Sequence, residues 1–413
     1  MSFDSIPNDL LLKIFQNLPL KDRVRVGGVS KRFNQMSKVA LTKIKSLILD
    51  DVLTTYLNFS TQSFPALLDS CSPTLEHLVA STRVNKWMLF AVTEHAYPKL
   101  SHLKIVFPST SSEKTKSIWI KYWSTVISRC PNIKSIIVHP KFGFEFPANF
   151  ASDKLETLKL SGEIDDNLVR SIDGEVSRLK NLTIWGFDDG KKGYVAQISP
   201  KVIDDLFSAV TNLQKLTIGF NNATMKCAME KCGHFWRLES LKSLDLVSDG
   251  YAQSSFDPKF HYYPVFAVNF YVEADLLSKI SSSFPRLVKF YANAPFHRDD
   301  HECITALFSL SRLKILHICQ LELSKEAFVE MFHSFPELQY LYLNKIYAGG
   351  SGYELLERLR SISDIGARKI TIRFYDEKYE KYCETKTVRL GLEKIKKSGG
   401  PIINVGIVPL KAK

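Results

Sequence analysis

About thirteen times along this chain an apolar residue is followed three positions later by a second, and two positions after that by a third. Ile44-Leu47-Leu49 is the first such triplet, Leu100-Leu103-Ile105 and Leu213-Leu216-Ile218 are typical, and Ala367-Ile370-Ile372 is a degenerate last one. Their first positions are spaced about 27 residues apart on average, with intervals from 22 to 34. A period of that length means one small supersecondary unit used again and again. No unit of that size can bury its own apolar face, so the chain must fold by stacking each unit on the next.

The residues between triplets say what the unit contains. Pro or Asn often stands just ahead of a triplet, as in Cys71-Ser72-Pro73, Cys130-Pro131-Asn132, Phe284-Pro285 and Phe335-Pro336, and amphipathic stretches such as Trp119 to Ser128, Ile203 to Ala209 and Phe328 to His333 precede those turns. Each unit therefore reads as strand, loop, helix and a Pro-marked return. The spacing resembles that of leucine-rich repeats, which run roughly 20–29 residues per unit. The resemblance implies an α/β fold: a curved solenoid with a parallel concave sheet and outer helices. A solenoid of mainly helical units is the alternative. The intervals are irregular, and the Asn or Cys expected after the strand is mostly missing, Asn221 being the clearest instance.

Only the N-terminus does not repeat. Over Ile6 to Phe33 the sequence is IPNDLLLKIFQNLPLKDRVRVGGVSKRF. Asn8 is placed to cap a helix, Asp9 favours its first turn, and Leu10, Leu11, Ile14, Phe15 and Leu18 form one wide apolar face. Pro19 stops that helix, Leu20 to Val26 offers a second, and Ser30 can cap a third. Ile6-Pro7, Ile14-Phe15, Leu18-Pro19 and Val29-Ser30-Lys31-Arg32-Phe33 together resemble the F-box. That resemblance implies a three-helix motif that docks on a Skp-type adaptor and through it on a cullin-RING ubiquitin ligase. It assigns motif core and adaptor contact jointly to Ile6, Pro7, Leu10, Ile14, Leu18, Pro19, Val29 and Phe33. Two departures stand out: Phe33 where the family usually has Trp, and Gly27-Gly28 where more helix-friendly residues are usual.

The expected organisation is an F-box over residues 1–43, a repeat solenoid over 44–386 and a C-terminal cap and tail over 387–413, the cap including the apolar run Ile402 to Val408. No run of 18 apolar residues is present to span a membrane, and the Met-Ser-Phe-Asp start has no secretory character. Seven scattered cysteines argue against a disulfide framework. A cytoplasmic or nuclear protein without membrane partners is expected. The formal net charge of +12 points to acidic partners.

Alternation within a strand turns the triplet into a surface, because the residues flanking the middle apolar position face away from the core. Those pairs include His77/Val79, His102/Lys104, Thr157/Lys159, Lys215/Thr217, Ser243/Asp245, Lys289/Tyr291, Ile315/His317, Tyr340/Tyr342 and Lys369/Thr371. Lysines predominate, and Asp245 is the single acid. An acidic or phosphorylated protein segment is the expected ligand, with Lys104, Lys159, Lys215 and Lys289 supplying charge and Tyr291, Tyr340 and Tyr342 supplying contact area.

Catalytic chemistry has little support. Cys227-x4-Cys232-x-His234 lacks a fourth metal ligand, and His297-Arg298-Asp299 has no phosphate loop or metal-binding partner, so His297 to Glu302 reads as a solvated loop. Gly349-Gly350-Ser351-Gly352 lacks the Lys that ends a nucleotide loop. No enzyme, cofactor or metal is expected. A substrate receptor of a Skp-cullin-F-box type ubiquitin ligase is the leading expectation, and a protein-binding scaffold or inhibitor without ligase assembly the alternative. Nucleic-acid binding by the basic face accounts for fewer of the residues, since it leaves the Leu-Pro pairs and Val-Ser-Lys-Arg-Phe unexplained.

Overall fold

The computed structural model describes residues 5–49, 63–80, 86–107, 113–139, 143–147, 150, 153–162, 164–172, 176–186, 198–220, 230–248, 273–293, 300–318, 325–343, 369–374 and 402–407. The chain divides into two compact units, Met1–Leu179 with Asp188–Ile198, and Lys180–Phe187 with Ser199–Lys413.

The first unit opens with three helices, α1 (Asn8–Asn17), α2 (Leu20–Val26) and α3 (Lys31–Leu41). Their starts differ from expectation in one place. Pro7, not Asn8, is the cap of α1, and it makes no side-chain cap bond. Asn8 is instead the first helical residue, and its Oδ1 accepts from Arg32 Nε at 2.9 Å. Ser30 does cap α3, accepting from the Phe33 N–H at 3.2 Å. Gly27 has a packing reason: a Cβ there would lie 3.2 Å from the Val24 carbonyl and 3.3 Å from Ser37 Oγ. The same serine donates to the Arg23 carbonyl at 2.5 Å, so the missing side chain lets α2 close on α3.

After the helices come five parallel strands, β1 (Ser46–Leu49), β2 (His77–Ala80), β3 (His102–Val106), β4 (Ser135–His139) and β5 (Thr157–Gly162), each paired with the next. Inward residues stack in ladders, Leu47, Leu78, Leu103, Ile136 and Leu158 all being buried. Fully burying one such side chain is worth about 1.5–3 kcal/mol. The intervening helices present the matching period: Phe64, Leu67, Leu68 and Cys71 are buried in helix Ser63–Cys71, at spacing i, i+3, i+4, i+7. Helix α3 packs against that same helix, which attaches the N-terminal motif to the first repeat.

In the second unit eight parallel strands pair in chain order: β6 (Asn181–Gly186), β7 (Lys215–Phe220), β8 (Ser243–Ser248), β9 (Lys289–Asn293), β10 (Ile315–Ile318), β11 (Tyr340–Leu343), β12 (Lys369–Phe374) and β13 (Ile402–Ile407). Strand entry follows one rule in both units. The carbonyl just before a strand accepts two successive N–H groups of the next unit, as Lys180 O does from Gln214 at 2.8 Å and Lys215 at 2.9 Å. The fold is thus a parallel α/β repeat array of the leucine-rich-repeat kind, behind N-terminal F-box-like helices. No helix among the described residues is long and apolar enough to cross a membrane.

Three details of the repeat differ from the sequence expectation. Strand β8 pairs directly with β9, and the triplet Val265-Val268-Phe270, expected between them in the chain, lies outside the described residues. In β12, Leu341 pairs with Ile372 and Leu343 with Phe374, two residues beyond the expected register. Finally, the apolar run expected in a cap contributes β13, paired in parallel with β12. A run of β-branched residues at the end of a stack has one unpaired edge to add to, and pairing satisfies its backbone groups.

Gly219 on β7 is required by its neighbour. A Cβ there would collide with the Trp185 indole of β6. Gly219→Ala should therefore lower stability by about 1–3 kcal/mol through overpacking, read as a lower denaturant midpoint. An unchanged midpoint would mean the indole simply moves aside.

Candidate functional site

The apolar face of α1 divides in two. Leu11 and Phe15 turn inward and form a small core with Ala40, against which Ile6, Leu12, Leu18, Val26, Phe33 and Met36 pack. Phe33 meets Phe15 edge-on, ring centroids 5.3 Å apart and planes at 77°. Leu10 and Ile14 turn outward, 50% and 47% exposed, and Val29 in the turn before α3 is 68% exposed. Pro7 and Pro19 are exposed as well. Of the eight F-box positions, Ile6, Leu18 and Phe33 thus belong to the core, while Pro7, Leu10, Ile14, Pro19 and Val29 lie on the surface.

Arginines hold this small domain in shape. Arg32 donates to the Ile6 carbonyl and to Asn8, tying the start of α3 to the start of α1. Arg23 donates to the Leu18 carbonyl at 2.8 Å and to that of Gln16, satisfying the open C-terminal end of α1. Neither role was visible in the motif, because both arginines lie outside the apolar pattern. The same small domain displays three large aliphatic side chains, Leu10, Ile14 and Val29, to solvent.

On the sheet of the first unit, the outward positions alternate as expected. Lys104 and Lys159 are half-buried on β3 and β5, with Ile137 of β4 opposite both of them in register. His77 and His102 stack on adjacent strands, centroids 4.3 Å apart and planes at 23°. Burial, then the neighbouring His77 and Lys134 charges, lower the His102 pKa. His139, just past the triplet of β4, bonds Ser161 at 2.6 Å, and burial with the Lys104 charge pushes it down to about 4.

On the second unit, Lys215 and Lys289 are exposed and face Ser243 from either side in register. Tyr340 is 39% exposed, and Tyr291 is half-buried with its ring 6.0 Å from His317. Tyr342 is placed in β11 by its backbone only; its side chain lies outside the described residues. The β12 register puts Arg373 beside Tyr342, where the sequence pattern had placed Thr371.

The next row inward was not recognisable as distinct. Thr183, Thr217, Asp245 and His317 all occupy outward positions of the pattern, yet all are buried. Burial pushes the Asp245 carboxyl up to about 7 against the opposing charge of Lys215, and pushes His317 down to about 4. Among the other sequence candidates, Cys232 is buried with its thiol on the Pro200 carbonyl at 3.3 Å, and His234 Nδ1 lies 2.9 Å from Asp204. Cys227, His297, Arg298 and the Gly349–Gly352 loop lie outside the described residues, and Asp300–Thr305 is helical where a loop was expected.

Residues 3–41 match the F-box-like family model. Among solved structures, a leucine-rich repeat-containing protein, LegL7 from Legionella pneumophila, is 16% identical, covering 79% of this chain and 93% of its own at a TM-score of 0.39. The yeast Rad7 and Elc1 complex contains a chain 14% identical, covering 82% of this chain and 88% of its own at 0.37. A chain of the TLR13–ssRNA13 complex is 15% identical, covering 82% of this chain and 58% of its own at 0.30. The search of curated proteins returned no match.

Proposed function

From an F-box-like domain at residues 3–41 followed by a leucine-rich-repeat array, we infer that this chain is the substrate-receptor subunit of a cullin-RING ubiquitin ligase. The observation that carries it is the divided face of α1, where Leu10 and Ile14 stay exposed while Leu11 and Phe15 complete a core beneath them. The exposed set would bury itself in a Skp-type adaptor. The outward rows of the repeats would hold a protein substrate, with Lys104 and Lys159 in the first unit and Lys215 and Lys289 in the second favouring acidic or phosphorylated segments. The chain itself would do no bond chemistry. Its contribution is positional: helix α3 packed on the first repeat helix keeps the adaptor face fixed to the first repeat, which raises the effective concentration of substrate at a ubiquitin donor.

Co-expression with a Skp-type adaptor tests this. One adaptor per chain should be recovered on the purified protein. A folded chain that recovers none would reduce the N-terminal helices to a cap on the repeats and leave the scaffold or inhibitor alternative.

A further inference from the structure

One outward row of the first unit runs unbroken across its strands. Ile48 of β1, Val79 of β2, Lys104 of β3, Ile137 of β4 and Lys159 of β5 pair in register one after another. Ile48 is 49% exposed and the others are half-buried, so the whole row can be reached from solvent.

The row is not uniform. Its β1–β2 end is aliphatic, and its β3–β5 part sets a lysine on each side of Ile137. No acid occupies an outward position of the triplet pattern on these strands. Burial first and the Lys104 charge second push His139 of β4 down to about 4, so that charge is felt on the neighbouring strand.

Each part selects a chemistry. A half-exposed isoleucine beside a valine gains when another aliphatic side chain covers both. Two lysines flanking one position attract an anion there, and hydrogen bonds between charged groups are roughly twice as strong as neutral ones. Nucleic acid would use the lysines and leave Ile48 and Val79 uncovered. A protein segment carrying one aliphatic and one anionic side chain uses the entire row. Strand spacing then sets how far apart those two must stand. The anion lies over β4, between the lysines, and the aliphatic contact lies over β1 and β2, two to three strands away. At about 4.8 Å per strand this is about 10–14 Å, which an extended chain covers in about three or four residues.

We propose that the first unit's face recognises a linear motif in an extended protein segment: an aliphatic residue over β1 and β2, and about three or four positions away an aspartate, glutamate or phosphoserine between Lys104 and Lys159. The proposal rests on the reading of the repeats as the substrate surface. It also orients the bound segment, whose aliphatic residue lies on the first repeat, the one that α3 packs against.

A peptide array probed with the full chain, co-expressed with adaptor, tests it. One Leu and one Asp, Glu or phosphoserine are placed in a neutral polar background, and their separation is varied from one residue to seven in both orders. Binding should peak at about three or four residues, about tenfold above the other spacings. A preference for phosphoserine or for Asp and Glu names the source of the anion, and either supports the proposal. Ile48→Ser should abolish the dependence on Leu and keep that on the anion, and Lys104→Gln with Lys159→Gln should do the reverse. Each variant is checked by its thermal transition; if the double variant does not fold, Ile48→Ser and Lys104→Gln decide. Anion-dependent binding at every spacing, or a peak that survives in the folded variants, overturns the motif and leaves the repeats as the substrate surface. Failure of every peptide overturns both, while adaptor recovered in the same preparation reports separately on the receptor reading. Lysine-dependent binding of homopolymeric RNA in place of peptide also overturns the proposal and makes the face a nucleic-acid surface.

Discussion

Replacing Leu10 and Ile14 together by alanine should lower affinity for a Skp-type adaptor about 30-fold, since each side chain is about half exposed and burying the rest is worth about 1 kcal/mol. The thermal transition should barely move, because exposed substitutions usually stay within about 0.5 kcal/mol. The neighbouring pair gives the contrast. Leu11 and Phe15 are 1% and 3% exposed, so Phe15→Ala should cost about 3–5 kcal/mol and unfold the small domain before any question of binding arises. Calorimetric titration with adaptor and circular dichroism of the same samples separate the two cases. If the Leu10/Ile14 variant keeps full affinity, the exposed aliphatic set is not the docking face. The test is sharp because the residues alternate along a single helix.

The second large effect is a dependence of stability on pH, with terms of opposite sign. Asp245 has an ordinary pKa near 3.8 when unfolded and about 7 when folded, so the folded chain holds its proton more tightly. Its contribution is fully present below the unfolded value and is lost as pH rises through about 7. At about 1.4 kcal/mol per unit, the loss is of order 4 kcal/mol. His139 and His317 behave the other way, each falling from 6.5 to about 4 on folding, so stability is lost as pH drops from 6.5 towards 4. Two imidazoles outweigh one carboxyl on the acid side; above pH 6.5 the carboxyl acts alone. Asp245→Asn should therefore be more stable than the native chain at pH 8, with the gain shrinking towards pH 4. Urea midpoints across pH 4–8 measure this, and an asparagine variant less stable at pH 8 would mean that the carboxylate has a buried partner in the folded chain.

The histidine and aspartate effects show where the sequence pattern stopped being informative. Alternation placed Asp245, His317 and Thr217 on the outward face, and the register agrees, since Asp245 pairs with Thr217 and Tyr291, and Tyr291 with His317. Alternation assigns a direction to a side chain. It does not assign exposure, which depends on which neighbours rise around that side chain. Lys104 and Lys159 on one unit, and Lys215 and Lys289 on the other, remain reachable from solvent in the rows where the pattern put them.

What the sequence by itself determined was the unit of construction and its orientation: triplets of apolar residues spaced three and then two apart, at a short, repeated interval, are all covered when each unit lays down a strand buried on one side. Ser30, the Pro-marked turns and the helical spacing of Phe64, Leu67, Leu68 and Cys71 are local signals, and local signals survive in the fold. The tertiary structure alone decided the division of Leu10 and Ile14 from Leu11 and Phe15, the direct pairing of β8 with β9, the shifted register of β12 and the addition of β13. Each of these depends on what another segment offers, a helix face to cover or a strand edge to complete. Two residues of equal hydrophobicity one position apart on a helix are alike in sequence and opposite in burial once a second helix is present.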